Sequence, residues 1–331
     1  MKAFVIEKPF HATIREVPYP KPGYGEVTIK VHNVGICGTD VHIYEGKFIA
    51  SYPIVPGHEF SGVIHEVGEG VPDLKVGDRV SAEPNIGCGR CAYCLTRRGN
   101  LCSNWKGIGV SLDGSMAEYV RVPMQNVLKL PDAMTFEEGA FIEPMACVVY
   151  GMNRLQLQVG ERVILFGAGA MGQQLVQTIA RSGASELVVV DVSREKLDLA
   201  LRFGATRGVL SRDLSPDDFP GGFDVVVEAT GIPSVIEQAF AYMGPGSRFL
   251  QFGVTNNDDR IRFSPFDLFN KDWTIIGTKA TNQTFYPAFH WIKEGRVDVK
   301  PLLSKVIALE DAPAFFSGHK DPGLLKVQIK L

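Results

Sequence analysis

Apolar and polar residues alternate through most of the first 130 positions. The stretches EVTIKVHNVGICG from Glu26, SGVIHEVGEGV from Ser61, KVGDRVSAEP from Lys75 and AEYVRVP from Ala117 share this pattern, with Gly, Pro and Asp at short intervals. Strict alternation bounded by turn residues predicts half-buried strands. The opening MKAFVIEKPFHATIREV alternates as well and reads as a strand. An all-β body is the simplest reading of this part. Around Thr135 the spacing changes to the helical TFEEGAFIEPMACVVYGMNRL. From Arg162 to about Ala280, the apolar runs RVILFG, ELVVVD, RGVL, DVVVEAT, RFLQFG and WTIIGT alternate with helical segments. That alternation implies a parallel sheet, and six such strands suit a doubly wound dinucleotide fold. The tail from Thr284 returns to mixed helix and strand and is expected to rejoin the first domain. The predicted class is α/β, with domains at 1–146 and 147–280 and a returning segment at 281–331.

At 331 residues, the chain is long enough for two domains that each bury a core. A net charge of −3 gives no electrostatic footprint for nucleic acid or an anionic membrane. The N-terminus carries acids early and lacks the basic region and unbroken apolar run of a secretory signal. No stretch of about 18 apolar residues is present to span a bilayer. A cytoplasmic address is expected, and in that reducing compartment clustered cysteines favour metal over disulfides.

Four of the six cysteines, Cys88, Cys91, Cys94 and Cys102, follow C-x2-C-x2-C-x7-C, with Gly87, Gly89 and Gly99 letting the backbone curl. Four thiolates suit tetrahedral zinc, and a site with four protein ligands is closed to water and substrate, so this zinc is expected to be structural. Free or paired cysteines are the bland alternative. A ferredoxin-type cluster would have its fourth cysteine sooner and a proline after it, whereas Ser103 follows Cys102. A nucleic-acid zinc module calls for a basic surface, and only Arg97 and Arg98 are adjacent here.

Two other stretches, VGICGTDVHIYEG at Val34 and PGHEFSGVI at Pro56, supply Cys37, His58 and Glu59. One sulfur, one imidazole and one carboxylate form a plausible three-ligand set that leaves a fourth position open, as a catalytic zinc requires. Their structural alternative is a buried cysteine and an exposed His-Glu pair. Glu143, in the apolar FIEPMACVVYG, needs a partner if buried. It is a candidate support for the ligands, substrate contact or exchangeable ligand, or else an exposed acid at a helix entry. Cys147 lies one helical turn on, and is assigned to the wall of the cofactor cleft or to the core.

RVILFGAGAMGQQLVQTIARSG holds Gly167, Gly169 and Gly172 as G-x-G-x-x-G directly after an apolar strand. The first glycine permits the tight turn, the second the approach of a pyrophosphate, and the third close helix–strand packing. ELVVVD then ends at Asp191, where an acid accepts from the adenosine ribose hydroxyls and repels a 2′-phosphate, favouring NAD over NADP. Arg194 and Lys196 read as solvated or as contacts at the cofactor edge.

Taken in order, GICGTDVHIYEG, PGHEFSGVI, VGDRV, CGRCAYCLTRRGNLC, GSMAEYVRVP, FIEPMA and GAGAMG resemble the zinc-dependent medium-chain alcohol and polyol dehydrogenases over nearly the whole chain. The resemblance implies a GroES-like β domain holding both zinc sites, a Rossmann NAD domain and a C-terminal segment returning to the first domain. It implies that Cys37, His58 and Glu59 bind the catalytic zinc, with Glu143 at the acid position of sorbitol- and xylitol-type enzymes. It further implies that Thr39 and His42 relay the substrate proton, and that Met171, Lys196, Gly253 and Val254 contact the cofactor. A polyol or vicinal diol oxidised with NAD, two zinc ions per chain and a homodimer or homotetramer follow as expectations. Departures fall at Ile43 and Tyr44, where sorbitol dehydrogenases place an aromatic directly after the histidine, and at Ala280 and Thr281 in place of an Arg-Tyr pair. GICGTDVHIY and HEF also resemble L-threonine dehydrogenase. A non-catalytic NAD sensor and a zinc-ribbon nucleic-acid binder are the alternatives outside the enzyme class.

Overall fold

The amino-terminal stretch is a hairpin rather than one strand. Strands β1 (Lys2–Lys8) and β2 (His11–Glu16) pair antiparallel, and Phe10 takes the turn at a φ of 61°. There follow β3 (Glu26–Ile36), α1 (Gly38–Tyr44), β4 (Glu59–Val67), β5 (Arg79–Ala82), β6 (Asn85–Ile86), α2 (Ala92–Leu95), β7 (Lys106–Gly107), β8 (Tyr119–Pro123) and β9 (Val127–Lys129). Helices α3 (Phe136–Gly139) and α4 (Ile142–Leu155) lead into β10 (Arg162–Phe166), α5 (Ala170–Arg181), β11 (Glu186–Asp191), α6 (Arg194–Arg202) and β12 (Arg207–Leu210). The chain continues through β13 (Phe223–Glu228), α7 (Pro233–Ala239), β14 (Met243–Gln251), α8 (Pro265–Asn270), β15 (Thr274–Gly277) and α9 (Phe285–Lys293). It closes with β16 (Leu303–Ala308), α10 (Ala312–Ser317) and β17 (Lys326–Lys330). This computed structural model describes residues 1–48, 50–318 and 321–331.

Two units result. The first comprises 1–146, 280–293 and 298–331, and the second 147–279 with 294–297. In the first unit a seven-stranded sheet has the order β16-β17-β3-β4-β5-β9, with β8 also on β3. Its buried residues Val27, Ile29, Phe60, Ile64 and Ile329 form one cluster with Phe4 and Ile6 of β1. The expectation of an all-β body misses α1. Its GTDVHIY text is too short and too polar at its start to show a 3.6 period, yet the Asp40 carboxylate accepts from the Cys37 N–H at 2.8 Å and holds the first turn.

The second unit contains the six expected strands as one parallel sheet, β12-β11-β10-β13-β14-β15. Strand order reverses beside β10, so the carboxyl ends of β10 and β13 flank the crevice where ligands bind in such sheets. Ile164, Val188, Val226 and Phe249 lie in its core with Tyr242 and Trp273.

Candidate active site

Strand register assembles the first constellation. Gly35 on β3 pairs with Glu59 on β4, and Ile36 on β3 pairs with Val327 on β17. The residues just beyond these pairs, Cys37, His58 and Lys326, are thereby drawn to one end of the three strands. Gly35 is required here, because a Cβ on it would lie 2.2 Å from the Glu59 carboxylate. Ligand atoms of Cys37, His58 and Glu59 all fall within 4.8 Å of one another. His58 and Glu59 are buried, at 7% and 1% exposure.

Two residues that sequence reasoning passed over hold this set in place. Asp40, fully buried, accepts from Cys37 N–H through one oxygen at 2.8 Å and from Gly57 N–H through the other at 3.1 Å. It therefore braces the two segments that carry the ligands, and its Oδ1 lies 3.4 Å from His58 Nδ1. Lys326 places its ammonium 2.9 and 2.8 Å from the two oxygens of Glu59. Burial by itself would lower the Lys326 pKa, but the charges of Glu59, Cys37 and Glu143 overcome it and hold the amine above its ordinary value. The Asp in GICGTD and the alternation of Lys326, Gln328 and Lys330 in a buried strand were the available signals.

Glu143 is buried at 7% exposure on α4. It is not part of the close three-residue group, and its charge acts on Lys326. Cys147, farther along α4, is the first residue of the second unit. Thr39 and His42 lie on α1, and the buried His42 Nδ1 has no hydrogen-bond partner among the described residues. Ile43 and Tyr44 belong to the core of the first unit. Thr281 is buried, donating to Glu83 and accepting from Asn85 Nδ2 at 2.9 Å. Its one O–H is thereby committed to Glu83.

In the second cluster the sulfurs of Cys88, Cys91, Cys94 and Cys102 all lie within 4.8 Å. Cys91 and Cys102 are 3.8 Å apart, far beyond a disulfide bond of about 2 Å and equal to the sulfur–sulfur edge of about 3.8 Å that a tetrahedron with 2.3 Å zinc–sulfur bonds requires. N–H groups of Cys88 and Asn104 both point at Cys102 Sγ, each at 3.3 Å. Backbone donors at Cys94 and Ser103 draw the Cys91 thiol down to about 6, while burial pushes Cys94 up to about 11. A zinc ion among the four sulfurs would favour the thiolate at each of them.

The second unit carries the dinucleotide turn. Gly167 has a φ of 98°. A Cβ on Gly172 would lie 2.0 Å from the Gly167 carbonyl oxygen, whereas one on Gly169 would meet nothing within 4 Å. Open space over the second glycine and close packing at the third are what pyrophosphate approach and helix–strand contact need. Asp191 accepts from Ala168 N–H at 2.7 Å and from Ser193 N–H at 2.9 Å, fixing the end of β11 against the glycine turn. Met171 and Lys196 lie half-buried on α5 and α6, and Val254 beside Gly253 is 57% exposed.

Residues 23–132 match the alcohol dehydrogenase GroES-like domain family and residues 170–294 the zinc-binding dehydrogenase family. D-arabinitol dehydrogenase 1 of Uromyces fabae is 32% identical over all of this chain and 97% of its own. The chain belongs to the zinc-dependent medium-chain alcohol and polyol dehydrogenases. An L-threonine 3-dehydrogenase of Bacillus velezensis is 35% identical, over 94% of this chain and 93% of that one. A zinc-binding dehydrogenase from Sinorhizobium meliloti 1021, solved with NADP bound, superimposes with a TM-score of 0.96 at 31% identity, covering 100% of this chain and 99% of its own. As a member of this family, the protein is a zinc-binding, nicotinamide-dependent oxidoreductase. Among the described residues, no helix is long and apolar enough to cross a membrane.

Proposed function

We propose that this dehydrogenase oxidises a secondary hydroxyl of a sugar alcohol or vicinal diol to the ketone, with NAD as the hydride acceptor. The convergence of Cys37, His58 and Glu59 within 4.8 Å carries the reading. Zinc bound by these three would act as a Lewis acid on the substrate oxygen, and the nicotinamide ring would take the hydride. Asp40 keeps Cys37 and His58 in register, and the Lys326 ammonium, 2.8 Å away, is the counter-charge to the buried Glu59 carboxylate. Glu143 is read as a carboxylate beside the ligands, available to the substrate or the metal. The Thr39 hydroxyl and the His42 imidazole, with its unpartnered nitrogen, take the substrate proton toward solvent.

Gly167, Gly169 and Gly172 seat the pyrophosphate, with Met171, Lys196, Gly253 and Val254 around the dinucleotide. Asp191, held at the end of β11 by two backbone donors, favours a free ribose 2′-hydroxyl and hence NAD. Cys88, Cys91, Cys94 and Cys102 hold the structural zinc. The polyol reading is supported by the arabinitol dehydrogenase and by D-xylulose reductase relatives at 32–33% identity. The match to threonine dehydrogenases is as high, which keeps an amino-alcohol substrate as the second reading. In this chain the Thr281 hydroxyl proton goes to Glu83 and Ala280 has no polar group, so these two positions lend a substrate no side-chain donor where sorbitol dehydrogenases have an Arg-Tyr pair.

The working form is read as a cytoplasmic homodimer or homotetramer. The exposed Phe266 and Phe269 on α8 and Ile275 on the outer edge strand β15 are apolar surface that such an assembly would cover. A screen of NAD reduction over polyols, vicinal diols and threonine tests the substrate: turnover of one polyol or diol supports the proposal, turnover of threonine alone favours the second reading, and turnover of none removes both.

A further inference from the structure

Glu228, at the carboxyl end of β13, is a fully buried carboxylate in the second unit, and none of the ion pairs seen among the described residues involves it. Donors surround it instead. Oε1 accepts from Thr230 N–H at 2.6 Å, from the Thr230 hydroxyl and from Gly231 N–H at 3.0 Å. Oε2 accepts from Gln251 Nε2 at 2.8 Å and from Gly231 N–H at 3.2 Å. Its own backbone carbonyl accepts from Phe252 N–H and Gly253 N–H, both at 2.9 Å. Gln251 Nε2 also donates to the Gly253 carbonyl at 2.8 Å. One residue thus gathers the loop after β13 and the loop after β14.

A third loop joins them by contact. A Cβ on Gly167 would lie 2.8 Å from the Thr230 methyl, and one on Gly253 would lie 2.2 Å from Gly231 N and 2.8 Å from Glu228 Oε2. Gly231 has a φ of 69°, and a Cβ on it would lie 2.3 Å from the Val254 carbonyl oxygen. No side chain but hydrogen fits at these three points. The spacing of the glycine turn, the Thr230–Gly231 loop and the Gly253–Val254 loop is therefore set by how Glu228 holds Thr230 and Gly231.

We infer that Glu228 is a positioning residue for the dinucleotide: it shapes the loops at the carboxyl ends of β13 and β14 without touching the adenosine end. This rests on the reading that NAD lies across the glycine turn and the Gly253–Val254 loop. A carboxylate can accept from every neighbour named, whereas a glutamine turns its NH₂ either toward Thr230 and Gly231 or toward Gln251, so that at least one of the bonds named here is lost, the Gln251 bond to the Gly253 carbonyl included if that amide flips to compensate. Asp191 is held separately, by Ala168 N–H at the end of β10 and by Ser193 N–H after β11, neither of which hydrogen-bonds Glu228, so its hold on the adenosine ribose is expected to survive.

The test is fluorescence titration of NADH and calorimetric titration of AMP on the parent and on Glu228→Gln, with thermal unfolding as a check of folding. The inference expects NADH affinity to fall about tenfold or more, AMP affinity to stay within about twofold, and KM for NAD to rise far more than kcat falls. Thr230→Val, which removes the hydroxyl donor to Glu228 and leaves the exposed Ile232 N–H, its other partner at 3.0 Å, to water, serves if the glutamine variant fails to fold, and should show the same split at smaller size. Parallel weakening of NADH and AMP, or no weakening of either, would overturn the positioning role. A parent chain that bound neither ligand would instead overturn the dinucleotide reading on which it rests.

Discussion

Replacing Lys326 by Met tests whether the C-terminal strand supports the active site electrostatically. The Lys326 and Glu59 side chains are 6% and 1% exposed with 2.8 Å between charges, so water screens the pair very little. Removing one partner of such a pair leaves a buried charge without its counter-ion, at a cost of about 3–5 kcal/mol. With a urea slope of roughly 3 kcal/mol per molar, the midpoint of the first unit should fall by about 1 M or more. The assay is urea unfolding followed by tryptophan fluorescence, on zinc-stripped and zinc-loaded protein. Zinc on Glu59 would supply a second positive charge, so the loss should be smaller in the loaded protein, and by linkage the variant should bind zinc more tightly than the parent once folded. Glu59→Gln combined with Lys326→Met removes both charges and should regain much of the loss in the stripped form. A Lys326→Met midpoint within about 0.3 M of the parent in stripped protein, less than roughly 1 kcal/mol, would refute the pairing argument.

Asp40→Ala should weaken zinc at the three-ligand site by about 10–100-fold while leaving the cysteine cage loaded, as read by competition with a chromophoric chelator. Cys91→Ser should release the cage zinc and lower the unfolding temperature, and the remaining zinc should stay bound to folded protein. Asp191→Ser should raise the ratio of NADP to NAD use in kcat/KM by at least about tenfold, since it removes the charge that opposes a 2′-phosphate. His32 stacks on Phe136 with ring centroids 4.2 Å apart, and burial followed by the charge of Lys30 lowers its pKa from 6.5. The unfolded chain therefore binds the proton first, and stability should fall as pH drops from 6.5 through the lowered native value. His32→Gln should flatten that slope in denaturation curves taken between pH 5 and 7.

Much of the fold was legible because its periods are plain. The six parallel strands announce themselves as β-branched runs such as VVVD and VVVE, and G-x-G-x-x-G sits where strand turns to helix. The cysteine cage was legible from its spacing, and the Cys37, His58 and Glu59 set from residue type together with the family resemblance. What could not be read was whatever depends on register between distant strands. Lys326 meets Glu59 across 267 positions of sequence only because β17 inserts beside β3, and nothing local to LLKVQIK declares that neighbour. Glu228 likewise reads as the last residue of an apolar strand, and its task appears only once two loops close over its carboxylate. The amino-terminal hairpin was hidden because Phe10, a bulky residue at positive φ, occupies a turn where glycine or asparagine would be the usual signal.

Zinc counting by atomic emission on the parent and on Cys37→Ser bears most directly on the catalytic centre. Two zinc ions per chain in the parent, one in the variant, and loss of NAD reduction with NADH binding retained are the predicted results. A variant that kept both ions, or kept its turnover, would contradict a metal held by Cys37, His58 and Glu59.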